Sequence, residues 1–190
     1  MVVRAARLAC ACALLSCAGP APRAAEVPRV PLAGPGGQSL DARALAAGAP
    51  LTVLTFFSPD CDCLVAHEAR LRALAGEYGP RGVRFFMIDS EVGGSLERDA
   101  IEAARRGYRS PILLDRGARL ADALGARFAA FTVVVDSTGR VRYRGGIDDD
   151  RMHLRDDARP YLRDALDDLL GGREPRVAET EALGCALQKW

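Results

Sequence analysis

The residues best equipped for chemistry in this chain are cysteines. Cys61-Asp62-Cys63 places two thiols one residue apart directly after Phe57-Ser58-Pro59-Asp60, and Cys185 stands near the C-terminus. A thiolate is a nucleophile, a leaving group and a soft metal ligand. The element order puts Cys61 at the turn entering a helix, where unpaired N–H groups and the positive dipole end favour the thiolate. A lowered pKa raises the reactive fraction and improves the leaving group, so Cys61 is the expected nucleophile. Cys63 is harder to pair with it. Residues two apart in a regular helix project about 200° from one another. A Cys61–Cys63 bridge therefore needs Cys61 ahead of the first turn, in a tight and easily reduced ring. The other option is that Cys185 resolves Cys61 or Cys63 from the tail. Three thiols allow three pairings, and the sequence leaves all three open.

Other polar residues near these cysteines carry weaker signals. His67 lies one helical turn beyond Cys63, inside an apolar stripe. It is expected to be partly buried and hydrogen-bonded to backbone. The sharper alternative is that Cys61, Cys63 and His67 bind a soft ion such as Cu(I). His153 lies in a polar loop and should be solvated. Glu68, at a helix start, reads as ordinary dipole matching rather than a general base. Asp148-Asp149-Asp150 reads as a solvated surface run, because no calcium-loop spacing follows it. No cofactor is expected, and metal binding stands only as the alternative to redox chemistry.

The elements that must hold these residues are legible from periodicity. Leu51–Phe57 is a continuous apolar run rich in β-formers, the pattern of a strand buried on both faces. From about Asp62 to Tyr78 the period turns helical, with Leu64, His67, Leu71, Leu74 and Tyr78 on one stripe and Arg70, Arg72 and Glu77 off it. Gly79-Pro80 ends that helix. Val83–Asp89 and Ile112–Leu114 are further strands. Ser95 caps a helix running to about Arg106, and Arg119–Leu124 forms a short one. Thr132–Asp136 and Val141–Arg144 flank Ser137-Thr138-Gly139 as a hairpin. Pro160 opens a last helix that buries Leu162, Leu166, Leu169 and Leu170, and Gly171-Gly172 ends it. Strands alternating with helices, then a late hairpin, specify an α/β sandwich whose central mixed sheet is flanked by helices.

The ends read differently. Residues 1–25 have a basic start, the apolar run Leu8–Leu15 and small residues after it, the design of a secretory signal too short to span a bilayer. Leu14-Leu15-Ser16-Cys17 resembles a lipobox, which would put a lipid on Cys17; cleavage after Ala24-Ala25 is the plainer reading. Residues 26–50 are rich in Pro, Gly and Ala and read as a linker and irregular entry segment, followed by a domain over 51–172. In the tail, 173–190, the apolar residues Val177, Leu183, Leu187 and Trp190 are expected to dock and carry Cys185 toward the Cys61–Cys63 turn. Otherwise Cys185 is a small buried hydrophobe. Of six cysteines, Cys10 and Cys12 leave with the signal and Cys17 is lipidated or lost. Three thiols in an oxidising compartment allow one internal bridge and one thiol left over. The formal net charge of +1, with acids and bases interspersed and aromatics at 6 %, gives no case for nucleic acid.

Phe57-Ser58-Pro59-Asp60-Cys61 between a buried strand and a helix resembles the active-site turn of the thioredoxin superfamily. Val133-Val134-Val135-Asp136, Gly139 and Tyr143-Arg144-Gly145-Gly146-Ile147-Asp148 resemble the C-terminal hairpin of its redoxin (AhpC/TSA-like) branch. Thr180–Lys189, with Gly184-Cys185, is similar to a tail found on some secreted redoxins. The resemblance covers roughly Val27 to Leu170. It implies a thioredoxin-like sandwich and an exported thiol–disulfide oxidoreductase with Cys61, Cys63 and Cys185 as its site residues. The partners implied are an exported protein disulfide and a redox partner, in the periplasm, with membrane contact only through a lipid on Cys17. A non-catalytic binding scaffold is the remaining alternative. Three family features are missing. Leu64 stands where the second cysteine of Cys-x-x-Cys would be, no proline lies near Ala130-Phe131 where the cis-proline belongs, and the peroxiredoxin proline and threonine are absent. The last argues against a dedicated peroxidase.

Overall fold

A computed structural model describes residues 26–189. The expected export signal, with Cys10, Cys12 and Cys17, lies outside the described residues, as does Trp190.

The central strand is β3 (Leu51–Phe57), all seven residues of which are buried. Its partners come from both sides. β4 (Arg84–Asp89) pairs with it in parallel, from Thr52↔Arg84 to Phe57↔Asp89, and β5 (Ile112–Leu114) pairs in parallel with β4. On the other side β6 (Thr132–Asp136) runs antiparallel to β3, and β7 (Val141–Gly145) closes that edge as the expected hairpin. The segment read as linker and entry contains structure of its own. β1 (Pro31–Ala33) and β2 (Ser39–Asp41) form a short hairpin that joins the far edge through Ala33↔Leu114. The sheet order is thus β2-β1-β5-β4-β3-β6-β7, parallel in the middle and antiparallel at both edges.

Among the described residues four α-helices flank the sheet: α1 (Asp62–Tyr78), α2 (Leu96–Arg106), α3 (Arg119–Leu124) and α4 (Tyr161–Leu170). The stripe read from the sequence is the buried face of α1, since Leu64, His67, Leu71, Leu74 and Tyr78 are all buried. Ser95 caps α2 by accepting from the N–H of Arg98 at 3.1 Å, and Gly107 ends it at φ +64°. In α4, Leu162 and Leu166 are fully buried, and Leu169 and Leu170 are partly buried against the core. Tyr78 donates from its hydroxyl to Asp167 at 2.9 Å, tying the end of α1 to α4. Among the described residues no helix is long and apolar enough to cross a membrane.

Candidate functional site

The site forms where β3 ends. Cys61 occupies the N-cap position of α1 with extended backbone (φ −98°, ψ 103°), so it precedes the first helical turn. No side chain caps that turn, leaving its first amides without an intrahelical acceptor. Arg106, its side chain almost fully buried, fixes the approach to the turn. It donates to the carbonyl of Pro59 and pairs with Glu68 at 2.8 Å and Glu102 at 2.8 Å. Glu68 also accepts from Tyr108 at 2.6 Å and lies 3.8 Å from Arg72, so its contacts are all with residues of the scaffold.

Of the three possible pairings the structure shows Cys61–Cys185, a disulfide with Cα atoms 5.6 Å apart, bridging 124 residues of sequence. Cys63 is a free, buried thiol. Its sulfur nevertheless belongs to the same cluster, because the three sulfurs all lie within 4.8 Å of one another. Cys61 is 0 % exposed, while Cys185 is partly exposed.

The tail reaches this position by backbone pairing. Ala129 N–H donates to the carbonyl of Cys185 at 2.8 Å, and Leu187 N–H to that of Arg127 at 2.9 Å. These bonds bracket an antiparallel bridge, Phe128↔Ala186. Val92 N–H donates to Gln188 at 2.8 Å, and Thr180 N–H to Arg144 at 3.0 Å. Lys189 reaches Asp122 at 2.7 Å. Glu91 links the two halves of the site, accepting from Ser58 Oγ at 3.0 Å and from Gln188 N–H at 3.3 Å. The expected apolar docking is corrected in part. Leu187 is buried, but Val177 and Leu183 are exposed, so hydrogen bonds and the disulfide hold most of the tail.

Gly184 explains how the tail comes so close. A Cβ there would lie 1.8 Å from the carbonyl oxygen of Ala129, so only glycine allows this approach. Ala129 belongs to the loop Ala129-Ala130-Phe131, which β3 grips through Ala130 N–H to Phe56 O at 2.9 Å and Phe56 N–H to Phe131 O at 2.8 Å. Among the described residues no peptide bond is cis, and Ala130 instead adopts a left-handed φ of +66°.

His67 lies outside the sulfur cluster. Its Nδ1 donates to the carbonyl of Cys63 at 2.6 Å and its Nε2 to Asp148 at 2.9 Å. The backbone-bonded reading of His67 therefore holds, and the Cys61, Cys63, His67 set is replaced by Cys61, Cys63, Cys185. Two donating nitrogens describe an imidazolium. Burial works against that charge, but the bonds to Asp148 and Cys63 outweigh it and raise the pKa above 6.5. Asp148 is correspondingly held below 3.8: burial opposes this, and the bonds from His67 and Arg70 overcome it.

The aspartate run requires a clear correction. Asp148 and Asp150 are 4 % and 5 % exposed, not solvated. Arg70 bridges them at 2.5 Å and 2.9 Å, and Arg155 caps Asp150 at 2.6 Å. The run anchors the loop after β7 to α1 through His67 and Arg70. Arg155 is local, but no local signal announces the α1 partners, since Arg70 and His67 lie 78 to 81 positions away in sequence. His153 is exposed, as expected.

No protein-family model and no curated protein matches the chain. Solved structures do. A hypothetical protein from Sinorhizobium meliloti 1021 superposes with a TM-score of 0.79 at 26 % identity, covering 88 % of this chain and 94 % of that one. An uncharacterized conserved protein from Geobacillus kaustophilus gives 0.78 at 28 %, covering 88 % and 91 %. A thiol-disulfide oxidoreductase from Bacteroides fragilis gives 0.55 at 17 %, covering 63 % and 88 %. With a mixed seven-stranded sheet, flanking helices and a cysteine at the turn from β3 into α1, the chain has the thioredoxin-like α/β fold.

Proposed function

We propose that the protein is an exported thiol–disulfide oxidoreductase of the redoxin type, acting on protein disulfides through the pair Cys61 and Cys185. The observation that carries this reading is a disulfide between the N-cap of α1 and a C-terminal tail that packs over the end of β3 mainly through backbone hydrogen bonds. The cysteine at the N-terminus of α1 is positioned for a stabilised thiolate. A second stabilising contact is at hand, since Cys185 N–H donates to Cys61 Sγ at 3.3 Å.

In the reduced protein the Cys61 thiolate attacks one sulfur of a substrate disulfide. The substrate's other sulfur leaves as a thiolate and takes a proton. Cys185 then attacks Cys61 Sγ of the mixed disulfide, expelling the second substrate thiol and forming Cys61–Cys185. Two electrons have passed from this protein to the substrate. A dithiol partner restores the reduced state by attacking the partly exposed Cys185 first, because Cys61 is covered. The sulfur expelled in that step is Cys61, the better leaving group of the two. Export, periplasmic residence and a lipid anchor on Cys17 rest on the signal-like residues 1–25 and on the use of cysteine.

The test is reduction of a protein disulfide by the full chain, with Cys61→Ser, Cys63→Ser and Cys185→Ser. Loss of turnover in Cys61→Ser, and a trapped mixed disulfide on Cys61 in Cys185→Ser, are the expected results. Wild-type rates in Cys61→Ser overturn the proposal.

A further inference from the structure

Cys63 has no part in the two-cysteine exchange just described, yet it lies buried within the same group of sulfurs. We infer that the reduced protein binds one Cu(I) ion through the Sγ atoms of Cys61, Cys63 and Cys185. The geometry requires little adjustment. Metal–thiolate bonds of about 2.3 Å place sulfurs about 4.0 Å apart around a trigonal ion, and about 3.8 Å apart on a tetrahedral one. The three sulfurs already lie within 4.8 Å of one another while two of them are bonded. Breaking that bond lets Cys61 and Cys185 separate toward the trigonal spacing, and Cys63 needs to close by less than about 1 Å.

The donor set selects the ion. All three donors are thiolates, which favour a soft cation. Among the described residues no histidine or carboxylate joins the cluster, and His67, the ligand considered from the sequence, has both nitrogens engaged. Zinc in closed sites takes four ligands. Here the chain supplies three thiolates and, among the described residues, no fourth protein ligand. A three-coordinate site is therefore matched by Cu(I). The first-turn amides of α1 and the Cys185 N–H to Cys61 Sγ supply the second layer of donors that a negatively charged metal–thiolate group needs. The metal and the disulfide exclude each other, because the bond consumes two of the three ligands.

The inference does not rest on the exchange reading, and Cys63 separates the two. The full chain, reduced under anaerobic conditions, is titrated with Cu(I) against the chelator bathocuproine disulfonate and then studied by X-ray absorption. One Cu(I) per chain and three sulfur neighbours are expected. Cys63→Ser and Cys185→Ser should each weaken binding at least about tenfold, one tenth of the affinity being 1.4 kcal/mol, and lower the sulfur count to two. His67→Asn should change neither. Cys63→Ser should still form Cys61–Cys185 on oxidation, which reports that it folds and leaves the exchange reading intact. No competition with the chelator, unchanged affinity in Cys63→Ser, a loss in His67→Asn, or tighter binding of Zn(II) than of Cu(I) would each overturn the inference.

Discussion

Gly184→Ala puts the docking of the tail to a quantitative test. The added Cβ would sit 1.8 Å from Ala129 O and 2.9 Å from Ala129 C. Bringing the closer pair to a 3.0 Å contact requires a shift of at least about 1.2 Å, the difference between those two distances. Ala129 cannot supply it, being 0 % exposed in a loop that β3 grips on its C-terminal side. The tail must move instead. A shift of that size stretches Ala129 N–H to Cys185 O and Leu187 N–H to Arg127 O, now 2.8 Å and 2.9 Å, past hydrogen-bonding range. It also pushes the Cys61–Cys185 Cα separation of 5.6 Å to the edge of what a disulfide spans, about 6.8 Å.

Two backbone hydrogen bonds at about 1 kcal/mol each, with some residual crowding, set the cost at about 2–3 kcal/mol. That cost falls mainly on the oxidised protein, where the Cys61–Cys185 bond holds the tail against the crowded contact, and is relieved in the reduced one, where that bond no longer resists a shift. At about 1.4 kcal/mol per 30 mV for a two-electron couple, the reduction potential should rise by about 45–65 mV. The assay is equilibration with glutathione buffers, acid quenching, alkylation and mass counting of thiols. A potential within about 10 mV of wild type, with Cys61–Cys185 still the bridge, would falsify the argument that close backbone pairing positions Cys185.

Cys185→Ser should lower stability toward urea. The bridge closes 124 residues, worth up to about 5 kcal/mol by chain entropy and commonly 2–4 kcal/mol in practice. Reduced wild type should match the variant, and a variant as stable as oxidised wild type would refute the estimate. His67 supports folding as an imidazolium. Its contribution is fully present below the unfolded pKa of 6.5 and is lost as pH rises through the higher folded value. His67→Gln should therefore flatten the stability–pH curve above pH 6.5, and an unchanged slope there removes the charged pair with Asp148. Asp99 acts over a lower window. Burial first, then the charge of Asp89, pushes its carboxyl up to about 7, and neither of its oxygens has a hydrogen-bond partner. The folded state thus holds a proton that the unfolded state loses near 3.8, so stability falls as pH rises from there through about 7. Asp99→Asn should abolish that slope and raise the urea midpoint at pH 8; a lower midpoint at pH 8 contradicts the assignment.

The legible parts of this fold are those written in local patterns. The all-apolar run Leu51–Phe57 and the stripe from Leu64 to Tyr78 needed only periodicity to be read, and they position Cys61. The hairpin β1–β2 was illegible because strands of three residues in a Pro- and Gly-rich segment show no period. Asp148 and Asp150 were misread for another reason. Three consecutive carboxylates are solvated by default, and it takes Arg70 and His67, brought from the far side of the sequence, together with Arg155 to make burial tolerable. The cysteine pairing fell between these cases. Sequence supplied the three thiols and a tail able to fold back, but the choice of Cys185 over Cys63 depends on Cα separations that no spacing encodes.

The missing proline belongs to the same reasoning. Its absence reads from sequence as the loss of a family feature, whereas the backbone at Ala130 shows why proline is excluded. Proline is confined to φ near −65°, and Ala130 adopts +66°. Proline also lacks the N–H that Ala130 gives to Phe56 O at 2.9 Å, the bond that fixes this loop to the end of β3. One residue earlier, Ala129 spends its own N–H on Cys185. A loop held in this way presents a backbone donor to the chain's own tail beside the sulfur of Cys61. The left-handed alanine, the glycine before Cys185 and the disulfide are therefore one structural solution, and a change at any of the three should be read out at the other two.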